Sequence, residues 1–372
     1  MRFDAVELRS LELPLVRPFR TSFGTETVRE ALVVRVLGDD GEGYGECVAG
    51  SEPLYSSEFV ASSWLVMRDH LVPALLAAGS TRADSVKDVL AGFSGHRMAK
   101  AALEMAVLDA ELRSRCESLQ ELLGGTGESV TPGVSVGITT DVVELLDVVG
   151  RYLEEGYQRV KLKIEPGFDL EPVAAVRQLV GDGFMLQVDA NTAYTRSDFD
   201  LLARLDEFGL LLLEQPLDEE DILGHAELAR RLATPICLDE SVLSVRSAAT
   251  AIELGACSVV NIKAGRVGGY LEARRVHDLC RGAGVPVWCG GMLETGLGRA
   301  ANLALATLPG FALPGDISAT SRYFHEDITE RFELVGGRIG VPKGPGLGVT
   351  VDVGTLERLT RRHEIVHARQ AG

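Results

Sequence analysis

No apolar run in this sequence approaches the ~20 residues that a membrane-spanning helix needs. The first fifteen residues, MRFDAVELRSLELPL, are charged throughout and hold no apolar secretion-signal core. Basic charge is short as well: 37 Lys and Arg stand against 54 Asp and Glu, a net charge of −17. A nucleic-acid partner wants a basic face, so that class is excluded. A small anionic ligand is not, because the local field of a site can oppose the net charge. The six cysteines (Cys47, Cys116, Cys237, Cys257, Cys280, Cys289) form no C-x-x-C, and His96, His225, His277 and His325 have no H-x-x-H or H-E-x-x-H spacing. The cysteines read as small hydrophobes in a reduced cytosol, and His96, His225, His277 and His325 as surface or capping residues. These absences predict a soluble, cytoplasmic protein that binds neither membrane nor nucleic acid.

What is present begins with an interval. Lys163, Asp189, Glu214, Asp239 and Lys263 follow one another at steps of 26, 25, 25 and 24 residues. Each closes a short β-branched or leucine-rich run: Val160–Lys163, Met185–Asp189, Leu210–Glu214, Ile236–Asp239, Val259–Lys263. Such a step fits one strand, one helix and two loops, and a charged residue at every strand end suits the open mouth of a β/α barrel.

Residues 1–125 read as an α+β domain. Antiparallel strands are expected at Ala5–Leu13, Glu30–Leu37 and Gly43–Glu46, then helices, the clearest being His96–Arg113. The glycines of Gly43-Tyr44-Gly45 point to close backbone approaches. From 126 to 320 strands and amphipathic helices alternate, with strand candidates at Gly133–Ile138, Val285–Cys289 and, weakly, Phe311–Pro314 beside the five above. Expected helices include Asp198–Phe208, Gly224–Leu232 and Gly269–Ala283. The fold class is therefore α/β, a modified TIM barrel of (β/α)7β form. Residues 321–372 lose the period and are expected to return to the N-terminal domain.

The chemistry follows from the strand ends. In Lys161-Leu162-Lys163 two lysines share one strand face, in a strand type that is buried on both faces. A nearby like charge or metal lowers an amine toward neutrality and makes it a usable base. Asp189 and Asn191 share a face in the same way. Any one of Asp189, Glu214 and Asp239 reads equally as a helix N-cap. Together at a constant step they converge, and three converging carboxylates repel one another unless a cation holds them. All-oxygen ligands favour Mg²⁺, with Mn²⁺ or Co²⁺ as other divalent candidates. Lys163 and Lys263, on the second and sixth barrel strands, then face each other across the mouth. That pattern suits removal of a proton alpha to a carboxylate. A competing motif, Gly296-Leu297-Gly298-Arg299-Ala300-Ala301, matches G-x-G-x-x-A and suggests a nicotinamide-dependent oxidoreductase. It does not directly follow a strand, so a close-packed helix start is expected there, with N–H groups open to an anionic group.

Lys161-Leu162-Lys163, Asp189-Ala190-Asn191, Glu214-Gln215-Pro216, Asp239-Glu240-Ser241, Asn261-Ile262-Lys263 and Trp288–Glu294 resemble the enolase superfamily. Within it they resemble the branch of o-succinylbenzoate synthases and N-acylamino acid racemases, including N-succinylamino acid racemases. The similarity extends through Pro18–Gly24 and Arg299–Asn302. A lysine base beside Mg²⁺ is a known pairing for enolase-superfamily sites. The resemblance implies Lys163 and Lys263 as the acid/base pair and Asp189, Glu214 and Asp239 as metal ligands. It implies a metal-stabilised enediolate, reached in a dehydration of menaquinone biosynthesis or in a racemisation. Dipeptide epimerase and muconate cycloisomerase chemistry are the alternatives within the superfamily. Lys161 would steady the substrate carboxylate and depress Lys163, Asn191 would line the site, and Glu240 would support the metal ligands. The capping domain would close over the barrel through Phe19, Phe23 and Tyr55, while Ser135, Gly291, Met292 and Leu293 would touch the acyl or ring portion. The expected partner is a small-molecule carboxylate, and a homo-oligomer is implied.

Overall fold

The computed structural model describes residues 1–368. Ala5–Thr21, Gly24–Gly38, Gly41–Cys47 and Thr360–His367 form an antiparallel sheet, with the last strand on the outer side of the first. The tail thus returns to the N-terminal sheet, pairing Ala5 with His367 through to Leu11 with Thr360. The first two strands run well past the expected ends. A register shift between Pro14 and Phe19 absorbs the two prolines, and pairing resumes from Phe19 to Thr21. This extension carries the hairpin tip to the barrel, where Ile138 donates its N–H to the Arg20 carbonyl at 2.9 Å.

The helix Arg97–Arg115 lies on this sheet with nearly all of its middle buried. It comes so close that a Cβ on Gly45 would sit 2.1 Å from the Ala102 carbonyl oxygen, and one on Gly43 would sit 2.3 Å from that of Ala106. Asp109 of this helix accepts N–H bonds from Tyr44 (2.9 Å) and Leu347 (2.8 Å), tying strand, helix and tail together.

The second body is a seven-stranded parallel sheet in sequence order: Val134–Val136, Arg159–Lys163, Met185–Asp189, Leu213–Glu214, Ile236–Leu238, Val259–Ile262 and Val287–Cys289. The weak eighth candidate forms no strand. Phe311 and Gly315 instead make single parallel bridges to Val287, on one edge strand, and to Pro132, two residues before the other, and so span the gap. Register sets the mouth: Lys163 pairs with Asp189, and Asp189 with Glu214, while Glu214 pairs with Cys237, leaving Asp239 two residues farther out.

Two expected elements differ. The fourth barrel strand is ordered as a strand only at Leu213–Glu214. The helix expected over Asp198–Phe208 divides into Phe199–Ala203 and a tighter 3₁₀ turn, Arg204–Phe208. In that turn Asp206 is drawn off the helix to accept the N–H groups of Ala233 and Thr234, both at 2.8 Å. Two of the histidines read as surface or capping are fully buried: His225 Nδ1 bonds the Asp221 carbonyl and His277 Nε2 that of Pro309. No described helix is long and apolar enough to cross a membrane.

Two carboxylates of the N-terminal domain cap helices of the barrel. Glu46 accepts from Thr295 N (2.9 Å), Thr295 Oγ1 (2.7 Å) and Gly298 N (3.0 Å) at the start of Gly296–Ala306. Glu104 accepts from Leu271 N (3.1 Å) at the start of Tyr270–Gly282. Burial raises both carboxyls to about 7, against the pull of those donors.

Candidate active site

Between the hairpin tip, the 50–55 loop and the barrel mouth lies a cleft enclosing ≈940 Å³ of space, open solvent included. Phe19, Phe23, Tyr55, Ser135, Lys161, Lys163, Asn191, Lys263, Gly291, Met292 and Leu293 all line it. Asp189, Glu214, Asp239 and Glu240 lie beneath that surface, essentially unexposed.

The second barrel strand supplies three inward cations, Arg159, Lys161 and Lys163, through its two-residue period. Lys161 Nζ stands 2.9 Å from Glu214, 3.0 Å from Asp189 and 2.7 Å from Asp316, and 4.9 Å above the buried Trp288 ring. Burial opposes its charge, yet Asp189, Asp316 and Glu214 outweigh burial and raise its pKa. Lys163 Nζ donates to Asp189 Oδ2 and Asn191 Oδ1, both at 2.6 Å. Burial lowers its pKa, and Lys161 adds to the lowering. The reason is that two ammonium groups share Asp189, whose carboxyl they hold far down in spite of burial.

Across the mouth, Lys263 Nζ lies 2.7 Å from Asp239 Oδ2 and donates to the Tyr55 hydroxyl at 3.1 Å. Burial again opposes its charge, but Tyr55, Glu240 and Glu214 raise its pKa. The Tyr55 hydroxyl donates to Asp239 Oδ1 (3.2 Å) and accepts from Arg266 (3.2 Å), which also pairs with Asp239. Asn191 Nδ2 donates to Glu240 Oε1 at 2.9 Å, and burial together with Asp189 pushes the Glu240 carboxyl up to about 7. Asn191, Gln215 and Leu293, at the ends of strands three, four and seven, have φ values of 41°, 36° and 58°. Left-handed backbone at non-glycine residues costs roughly 1–3 kcal/mol each and clusters at functional sites.

As the side chains stand, no group of three His, Cys, Asp or Glu among the described residues encloses a metal position. Each acid is turned onto a cation of the protein instead. The donor set nonetheless fits a hard divalent ion. Three carboxylates end three successive parallel strands. Asp239 Oδ2 makes no hydrogen bond although Lys263 is near, and buried Glu240 Oε2 and Asn261 Oδ1 have no partner among the described residues. Buried oxygens left this way call for a ligand.

Several site residues escaped the sequence reading. Asp316 pairs with Arg159 (2.7 Å) as well as Lys161, and accepts the Ser135 hydroxyl (3.0 Å). Asn261 Nδ2 donates to Glu214 Oε1 at 2.8 Å. Asn261 shares a face with Lys263, and Arg266 follows Lys263 by one helical turn, so spacing could have found both. Asp316 lies beyond the repeating interval and leaves no such signal. The G-x-G-x-x-A segment is a helix start, but its N–H groups are not open to a ligand. Thr295 and Gly298 bond Glu46, and Gly296 bonds Asp327 at 2.8 Å. A Cβ on Gly296 would meet Thr329 Oγ1 at 1.7 Å, so the glycine serves packing rather than a pyrophosphate.

Comparison with known proteins agrees with this architecture. Residues 5–124 match the mandelate racemase / muconate lactonizing enzyme N-terminal domain, and residues 144–355 the enolase C-terminal domain-like family. An N-succinylamino acid racemase from Amycolatopsis is 63% identical, over 97% of this chain and 98% of its own. An o-succinylbenzoate synthase from Geobacillus stearothermophilus is 46% identical, over 99% and 98%. A solved enolase-superfamily structure from Listeria innocua superposes with a TM-score of 0.94 at 41% identity, covering 99% of both chains. Enzymes of this superfamily generally use a divalent metal. With a barrel whose strand ends carry the charged ladder, a sheet-and-helix cap over its mouth, and matches spanning both bodies, the chain belongs to the enolase superfamily.

Proposed function

We propose that this chain moves the proton on the carbon alpha to a carboxylate, as an o-succinylbenzoate synthase, an N-succinylamino acid racemase, or both. The observation that carries the reading is the opening of Lys163 and Lys263, from strands two and six, into one cleft above Asp189, Glu214 and Asp239. The two nearly full-length relatives bearing those names support it.

Mg²⁺, or Mn²⁺ or Co²⁺ in its place, held by Asp189, Glu214 and Asp239, would supply positive charge to substrate carboxylate oxygens that gain charge as the proton leaves. Lys163 takes the alpha proton. In racemisation Lys263 returns a proton to the opposite face; in dehydration it stays a cation. Lys161 holds the substrate carboxylate, and Asn191 orients Lys163 and Glu240 through its amide. Phe19, Phe23 and Tyr55 close the cleft from the cap and exclude water, while Ser135 and Gly291–Leu293 border the acyl or ring portion.

The test is exchange of the alpha proton with solvent deuterium in Lys163→Ala and Lys263→Ala. Loss of exchange in at least one variant is expected, and undiminished exchange in both refutes the two-lysine reading. Comparing kcat/KM for the cyclohexadiene precursor of o-succinylbenzoate with that for N-succinyl-phenylalanine says which transition state is better bound.

A further inference from the structure

This chemistry leaves unused one of the four cationic side chains that line the cleft. Arg29, on the second strand of the capping sheet, lines the cleft yet is 1% exposed. Its guanidinium carries five donors. Among the described residues only Nη2 is hydrogen-bonded, to the Val48 carbonyl at 2.9 Å. Nη1 lies 3.5 Å from Glu26 Oε1, an oxygen that itself receives no hydrogen bond, and Nε has no partner among the described residues. A buried cation this loosely held is expensive unless something completes its shell. The fork formed by Nε and the Nη groups matches a carboxylate in two-point fashion.

The lysines at the barrel mouth form one group of cations in the cleft, and Arg29 is the cation at the cap end, where Glu26 and Glu52 also line it. Apolar Phe19, Phe23, Leu54 and Met292 also line it. A cleft of this kind suits a dianion with an apolar middle and a carboxylate at each end.

We propose that Arg29 binds the terminal carboxylate of the substrate's acyl arm, selecting succinyl over neutral acyl groups; the assignment rests on the function proposed above. Glu26 is the local competitor for the guanidinium, and its side chain is 26% exposed, so it is free to swing toward water when a ligand carboxylate arrives.

The experiment compares alpha-proton exchange of N-succinyl-phenylalanine and N-pentanoyl-phenylalanine, which has similar length and no distal charge. In the wild type kcat/KM should favour the succinyl substrate by about 10- to 100-fold, the range for a hydrogen-bonded charge pair. Arg29→Met should bring that ratio to within about threefold of unity, chiefly through KM for the succinyl substrate. Arg29→Lys should retain part of the preference, and Glu26→Gln should increase it. A wild-type ratio near one overturns the proposal. So does an equal fall of both substrates in Arg29→Met, which would make Arg29 a strap of the cap. If Arg29→Met does not fold, the wild-type ratio and Glu26→Gln still decide, an unchanged ratio in the latter counting against. A wild type that exchanges neither substrate refutes the functional reading itself, and this inference with it.

Discussion

Replacing Asp316 by Asn tests whether the barrel interior is built on charge balance rather than on shape. The carboxylate sits 2.7 Å from both Arg159 and Lys161 and accepts the Ser135 hydroxyl. Burial raises an acid, but Lys161 and Arg159 overcome it and hold Asp316 far below the usual carboxylate range. The isosteric amide removes the charge and keeps one acceptor. Lys161 retains Asp189 and Glu214, whereas Arg159, with 0% exposure, loses its carboxylate partner and keeps the Pro314 carbonyl and the Trp288 ring. Breaking a buried pair costs about 3–5 kcal/mol. The surviving amide acceptor returns roughly 1 kcal/mol. The net expectation is a loss of about 2–4 kcal/mol, read from urea midpoints at constant slope. Lys161 should also settle onto Asp189 and Glu214, away from the cleft, raising KM for the substrate carboxylate more than it lowers kcat. Both ends of the pair are too deeply buried for salt screening to soften the result. A stability change under 0.5 kcal/mol, with kcat/KM within threefold of wild type, would refute the reasoning.

Tyr55→Phe deletes a hydroxyl that bonds Asp239, Lys263 and Arg266, so kcat/KM should fall by about 10- to 100-fold in steady-state assays while the melting temperature changes little. Gly45→Ala places a Cβ 2.1 Å from the Ala102 carbonyl oxygen, and thermal melts should show destabilisation of several kcal/mol, about what overpacking against rigid backbone costs. Glu104 titrates near 7 in the fold against about 4.5 unfolded, so its stabilising share is full below pH 4.5 and lost as pH rises through 7. Glu104→Gln should therefore shrink the drop in urea stability between pH 5 and 8, by up to about 3 kcal/mol; Glu46 titrates in the same window, so part of the drop stays. Chelation with EDTA should abolish alpha-proton exchange, and Mg²⁺ should restore it.

The barrel was readable because its strands and loops repeat with nearly constant length, so that register alone lines up Lys163, Asp189 and Glu214. The close approach at Gly43 and Gly45 was readable because strand interiors tolerate glycine poorly without a reason. Asp316 was not readable. It follows a segment that bridges two strand edges through single contacts, and such a segment has neither period nor hydrophobic alternation to announce it. The true length of the first hairpin was hidden by Pro14 and Pro18, which imitate a strand end and are absorbed by a register shift. The carboxylates of Glu46 and Glu104 at barrel helix starts were invisible because a long-range cap leaves no local spacing.

Those two caps bear on modularity. The loops that shape the cleft belong to the same body as Glu46 and Glu104, and these acids complete helices of the other body. A cap transplanted from a relative with a different acyl preference would bring its selectivity and its helix caps as one inheritance. Recombination between members of this superfamily should therefore succeed where the donor also offers an acid opposite Thr295 and Leu271, and yield insoluble hybrids where it does not.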